Sequence, residues 1–222
     1  MNAEKDKLIE EKEWLIREVH HRVKNNLQMV TSLLNTQSAH LNNDAAVLAV
    51  KDSSRRMQAM SLIHQKLYLS KNISSINMPE YINELVSYLR DSFDTGNKII
   101  FQSTIDPLTL DVSQAVPLGL IINETIVNSI KHAFMKGQKG IINIRLQRDD
   151  LDHLVLTISD NGIGLPETFD ITKQNSLGFD LIRGLAKQLN GTLDIKSNNG
   201  MHITIVFAVK SKEFYEKALT NF

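Results

Sequence analysis

Residues 117–134, PLGLIINETIVNSIKHAF, are the stretch on which the fold turns. The apolar run from Pro117 predicts a strongly apolar helix reaching Phe134. Its polar positions are few. Glu124, Asn128 and Lys131 are spaced by four and three, which predicts that all three project from one helical face. A solvated polar stripe is the ordinary meaning of such spacing, because a carboxylate, an amide and a cation are costly to bury unpaired. The chemical meaning is a Mg-polyphosphate site, with Asn128 as metal ligand, Lys131 on phosphate oxygens and Glu124 orienting a water or hydroxyl. His132, next to Lys131, is placed to touch phosphate as well.

Downstream, Asp160-Asn161-Gly162-Ile163-Gly164-Leu165-Pro166 closes a predicted strand, His153 to Asp160. Gly162 and Gly164 permit a ligand to approach the backbone closely, and Asp160 is an acceptor suited to an exocyclic amine such as that of adenine. About ten residues later, Ser176-Leu177-Gly178-Phe179 opens a helix whose free N–H groups, with Gly178, would receive phosphate. Taken singly, these segments are a tight turn and an N-cap.

The surrounding pattern is mixed. A helix is predicted from Pro79 to about Phe93, a strand over Lys98 to Thr104, and paired strands Ile141 to Gln147 and His153 to Asp160 around an Asp149-Asp150 turn. A helix over Ser176 to Asn190 precedes a hairpin of Gly191 to Lys196 with Met201 to Val209, and a last helix covers Lys212 to Leu219. Helices segregated from a mixed, largely antiparallel sheet make the class α+β, an α/β sandwich occupying residues 79–222.

Upstream, the first seventy residues hold neither proline nor glycine, which favours long helices. Leu15, Val19, Val23, Leu27, Val30 and Leu34 form one helical stripe. Leu41-Asn42-Asn43-Asp44 breaks it, with Asp44 as N-cap of a second helix. That helix carries the seam Ala46, Val50, Ser53, Met57, Met60, His64 and Leu67. On this seam His64 is expected to be a packed histidine and not a ligand. The two helices form a hairpin over residues 1–70, which needs a second copy to bury its seam, giving a four-helix bundle. Residues 71–78, within a Ser/Asn-rich stretch, are expected to be a linker.

In order, the E-x-x-x-N-x-x-K helix, D-N-G-I-G-L-P after a strand and S-L-G at a helix start resemble the N box and the two glycine boxes of the GHKL ATPase superfamily. That group includes histidine kinases, gyrase, mismatch-repair ATPases and heat-shock chaperones. The resemblance covers about Pro79 to Val209 and implies ATP with Mg²⁺ as ligands. Gly200 and Thr204 in the last strand are similar to the family's final nucleotide-contacting segment. The interval before the second glycine box implies a short ATP lid, and no F box is recognisable.

The hairpin selects among GHKL members. Glu18-Val19-His20-His21-Arg22-Val23-Lys24-Asn25-Asn26-Leu27-Gln28 resembles the H-H-R-x-K-N-N-L-Q phosphoacceptor segment of one branch of two-component sensor histidine kinases. At about 100° per residue, His21 lies roughly 180° from the centre of the Leu15–Leu34 stripe and His20 only about 80° from it. His21 is therefore the expected phosphoacceptor, with Glu18 and Asn25 at i−3 and i+4 on its own face. Glu18 is expected to hold the ring or take its proton. The resemblance implies autophosphorylation from Mg-ATP, transfer to an aspartate of a response regulator receiver domain docked on the bundle, and a homodimer.

Bulk properties set the outer bounds. Lys+Arg and Asp+Glu balance at 25 each, so no net attraction to nucleic acid is expected. The absence of cysteine excludes disulfides, thiolate metal sites and cysteine nucleophiles. No apolar run reaches the roughly 18 residues a membrane helix needs, and a cytoplasmic chain is expected, with any sensory or membrane segment lying upstream. No Walker A loop is present. Two other functions fit the same residues: a GHKL ATPase that uses hydrolysis for conformational work, and a nucleotide-binding scaffold without kinase activity.

Overall fold

The computed structural model describes residues 2–69, 75–134, 138–165 and 177–209. The expected terminal helix, the lid interval before Ser176, Ser176 itself and the first part of the expected linker lie outside these residues.

Two long helices, α1 (Asn2–Ala39) and α2 (Asp44–Leu69), form the antiparallel hairpin. The Asn43 side chain, not Asp44, caps α2, accepting from the Ala46 N–H at 3.1 Å. Next come β1 (Ser75–Asn77), α3 (Met78–Ser92), β2 (Ile99–Ile105), β3 (Thr109–Asp111) and α4 (Val112–Asn128). A π-helical turn, Ser129–Ala133, extends α4, followed by β4 (Gly140–Arg148), β5 (His153–Asp160), α5 (Leu177–Gln188), β6 (Thr192–Ser197) and β7 (Met201–Ala208).

The main sheet has the order β2-β4-β5-β7-β6, with β2 and β4 parallel and every other pair antiparallel. Strict alternation sends Ile142, Ile144, Leu146, Leu154, Leu156, Ile158, Ile203, Ile205 and Phe207 to one buried face. The buried stripes of α3 (Tyr81, Ile82, Leu85, Val86 and Leu89), α4 and α5 belong to the same core. Each such aliphatic side chain contributes roughly 1.5–3 kcal/mol by leaving water. The result is the expected α+β sandwich behind a helical hairpin.

Three boundaries differ from the sequence reading. Ser75–Asn77, expected at the end of a linker, pairs as β1 with β3. Asn77 then caps α3, its side chain accepting from the Glu80 N–H, with Pro79 in the first turn. Helix α4 begins at Val112 and not at Pro117, because Asp111 accepts from the N–H groups of Ser113 and Gln114. The helix also turns from α to π geometry at Ser129, so the α-helical phase does not continue to Phe134. The hairpin, finally, buries more than one seam. Ala59 and Ile63 of α2 are 1% exposed and join the core, where the Tyr81 hydroxyl donates to the Ala59 carbonyl. Among the described residues no helix is long and apolar enough to cross a membrane.

Candidate active site

Where α4 passes into its π turn, the wider i→i+5 winding redirects successive side chains, a distortion frequent at functional sites. Ser129 is buried there and its hydroxyl donates to Asp160 Oδ2 at 2.7 Å. The Ala133 carbonyl accepts from the Ile163 N–H at 2.9 Å. A cavity of about 380 Å³ opens against this turn, lined among others by Asn128, His132, Asp160, Phe179 and Met201.

Asp160 forms the polar end of that cavity. It is 3% exposed at the end of β5. Its Oδ1 accepts from the N–H groups of Gly162 (2.9 Å) and Met201 (3.2 Å). A carboxylate offers about four acceptor positions, so three neutral donors leave one for a further N–H. The backbone that carries this arrangement requires glycine at two points. A Cβ on Gly162 would stand 2.2 Å from the Ala133 carbonyl oxygen, and one on Gly200 (φ +115°) would stand 1.9 Å from the Asp160 carbonyl oxygen.

The sequence-derived residues divide into three groups. Asn128, His132, Asp160 and Gly164 line the cavity, and the Gly162 N–H holds Asp160. Gly178 places the start of α5 against Asn128 and Glu124, since a Cβ there would lie 3.3 Å from Asn128 Nδ2 and 3.5 Å from Glu124 Oε2. Leu177, beside it, is 70% exposed. Glu124 and Lys131 instead reach the hairpin. Arg56 Nε and an Nη donate to the two Glu124 oxygens at 2.7 and 2.8 Å, and this bonding raises the guanidinium pKa above its ordinary value. Lys131 Nζ donates to both Asp52 oxygens at 2.6 and 2.7 Å. Glu124 and Lys131 are thus engaged by Arg56 and Asp52, while Glu124 and Asn128 both lie against the Gly178 position.

Thr204 is also corrected. It lies in β7 opposite Thr157 and Asp194, out of phase with the buried Met201 and Ile203, so the pleat turns it to the sheet's other face. Met201 lines the cavity where Thr204 was expected. Ser129, Phe179, Leu165 and Met201 were not anticipated. A serine directly after the key Asn128 and the first apolar residue after Gly200 were the available signals.

On α1, His21 Nδ1 lies 3.5 Å from the Asn25 side-chain nitrogen. Glu18 accepts from Arg22 Nε at 2.7 Å, so its carboxylate is engaged one turn along the same helix. His20 turns inward to His64, as its place beside the stripe implied. The upper part of the stripe is uncovered in the single chain, with Leu15 52% and Val19 56% exposed.

The residues present fit a nucleotide with a divalent cation. The cavity has apolar walls and one buried acceptor at its end, and Asn128 stands at its rim beside the N-terminus of α5. Among the described residues no three acidic or histidine side chains cluster as a metal cage. A hard cation would therefore rest on Asn128 and on the ligand's own oxygens.

Comparison with known proteins points the same way. Residues 18–93 match the histidine kinase family, and residues 113–212 match the histidine kinase-, DNA gyrase B- and HSP90-like ATPase family. Sensor histidine kinase PdtaS of Mycobacterium tuberculosis is 32% identical over 207 residues, 92% of this chain and 41% of that protein. Blue-light-activated histidine kinase 2 of Erythrobacter litoralis is 28% identical over 185 residues, 81% of this chain and 52% of that protein. The solved histidine kinase domain of a blue-light-activated kinase from Erythrobacter litoralis superposes with a TM-score of 0.66 at 25% identity, covering 90% of this chain and 93% of that domain. The chain spans about two fifths of the length of PdtaS.

Proposed function

The chain belongs to the sensor histidine kinases, of the branch with an HHRxKNN phosphoacceptor segment and a GHKL-type ATPase domain, and from that premise we propose that it autophosphorylates His21 from Mg-ATP. The γ-phosphoryl group leaves ADP as a bond forms to an imidazole nitrogen, and an aspartate of a response regulator receiver domain then takes it. The observation that carries this reading is the buried Asp160, left with one acceptor position at the end of a cavity whose rim is Asn128.

Each residue has a physical task. Asp160 accepts the adenine amine, while the apolar cavity walls exclude water from the base. Asn128 is the protein ligand for Mg²⁺, which neutralises charge on the phosphate oxygens when bound. The start of α5 at Leu177 and Gly178, preceded by Ser176, offers N–H groups to the phosphates, and His132 and Lys131 add donors or charge. Glu124, once free of Arg56, orients the incoming group. His21 supplies the imidazole nucleophile. Asn25 orients the ring, and Glu18 stands on the same face to take its proton. The exposed α1 stripe supports pairing with a second copy.

Incubation with γ-labelled ATP tests the proposal. Acid-labile, base-stable label on the protein, located at His21 by mass spectrometry under neutral conditions, is the expected result. Hydrolysis without label would favour the ATPase reading instead.

A further inference from the structure

Helix α2 presents Asp52 and Arg56 one turn apart, and both reach out of the hairpin into the nucleotide half of the molecule. Arg56 grips both oxygens of Glu124, which is 5% exposed, and Asp52 takes the ammonium of Lys131 on both of its oxygens. Asp52 is shared with Arg55, whose guanidinium in turn lies 4.1 Å over the Phe93 ring. A matched pair of opposite charges, one carried by each residue of an i, i+4 step, thus holds the two residues assigned to the phosphate end of the site. Such contacts cannot persist once Lys131 turns to phosphate oxygens and Glu124 to the reacting group.

Position along the hairpin adds a second constraint. His20 meets His64, which fixes the level of His21 on α2. Arg56 lies eight residues before His64, about 12 Å along the axis at 1.5 Å per residue. The docked phosphate end therefore stands some two turns away from the phosphoacceptor of the same chain.

We propose that Asp52 and Arg56 form an autoinhibitory latch that competes with Mg-ATP for Lys131 and Glu124 and holds the ATPase domain away from its own His21. The proposal rests on the kinase reading given above. Nucleotide binding opens the latch, and opening frees the domain for transfer. A closed state populated at about nine parts in ten raises the apparent dissociation constant about tenfold.

The test compares the parent chain with Asp52→Asn, Arg56→Gln and the double variant, by titration with Mg-ATP and by initial rates of His21 labelling. Asp52→Asn is the main probe, because it frees Lys131 and leaves the buried Glu124 paired. Its dissociation constant is expected to fall several-fold, with about tenfold as the limit, and labelling to rise several-fold. Faster hydrogen exchange along α2 at saturating Mg-ATP in the parent is the second expected result, readable without any substitution. Unchanged affinity in Asp52→Asn, or α2 exchange indifferent to nucleotide, overturns the latch while leaving the kinase reading intact. Failure of every variant and the parent to bind nucleotide overturns the kinase reading, and the latch with it.

Discussion

The Nδ1 atoms of His20 and His64 lie 3.1 Å apart across the hairpin, with ring centroids at 5.3 Å and planes tilted by 42°. One ring must donate and the other accept, so the contact needs at least one neutral imidazole. Burial lowers the pKa of both below the usual 6.5, and the charge of His20 lowers that of His64 further. Each group is then protonated more readily in the unfolded chain than in the fold. The stability it contributes is full above pH 6.5 and is lost as pH falls from there through the lowered values. Thermal unfolding followed by circular dichroism should show a lower midpoint at about pH 5 than at about pH 8. His64→Gln should flatten that difference, and an unchanged slope would disprove the pairing.

The same pair separates the two adjacent histidines functionally. His20 is occupied by α2, whereas His21 lies beside Asn25 of its own helix. His21→Gln should abolish labelling from ATP while nucleotide affinity stays within a factor of about two. His20→Gln should keep part of the labelling. The opposite pattern would mean that α1 presents its other histidine to the nucleotide.

Base selection follows from the single acceptor position left on Asp160. GTP presents a carbonyl where ATP presents an amine, so two acceptors would face each other at a buried carboxylate. ATP should bind up to about 10⁴-fold more tightly than GTP. Asp160→Asn should weaken ATP and narrow that ratio, and Asn128→Ala should remove Mg-dependent labelling. Equal affinities for ATP and GTP in the parent chain would sink the assignment.

Gly162 is closed to any side chain by the Ala133 carbonyl. Gly162→Ala must push the π turn away from the strand end, at a cost of about 1–3 kcal/mol for forced overpacking. Chemical denaturation should show that loss, together with weaker nucleotide binding, because Ser129 and Asp160 part. Gly184, inside α5, has open space around it, so Gly184→Ala should leave nucleotide binding unchanged and raise stability by roughly 0.5–1 kcal/mol.

Association is tested on the uncovered stripe. Leu15 and Val19 are both more than half exposed in the single chain. Light scattering should find a dimer at micromolar concentration, and Leu15→Glu with Val19→Glu should dissociate it.

The sequence by itself determined most of the elements and where the glycine-bearing segments fall among them. Period-two alternation in β4, β5 and β7 and period-3.6 stripes in the helices follow from local geometry and the burial of one face, so they are written in residue spacing. Asp160, Gly162 and Asn128 were legible because a turn and a helix register fix where each side chain starts. The misplaced start of α4 was legible too, in Asp111 three residues before Gln114, but Pro117 drew the boundary instead. What only the tertiary structure decided were the meetings between distant segments. Glu124 and Lys131 have the spacing of a shared site, yet their partners are Arg56 and Asp52, 68 and 79 residues away. Thr204 has the right sequence neighbourhood and the wrong side of the pleat. The π turn that separates Asn128 from Lys131 costs helical regularity, and it is held by Ser129 on Asp160 and Ala133 on Ile163, contacts that form only once α4 lies against β5 and the segment that follows it.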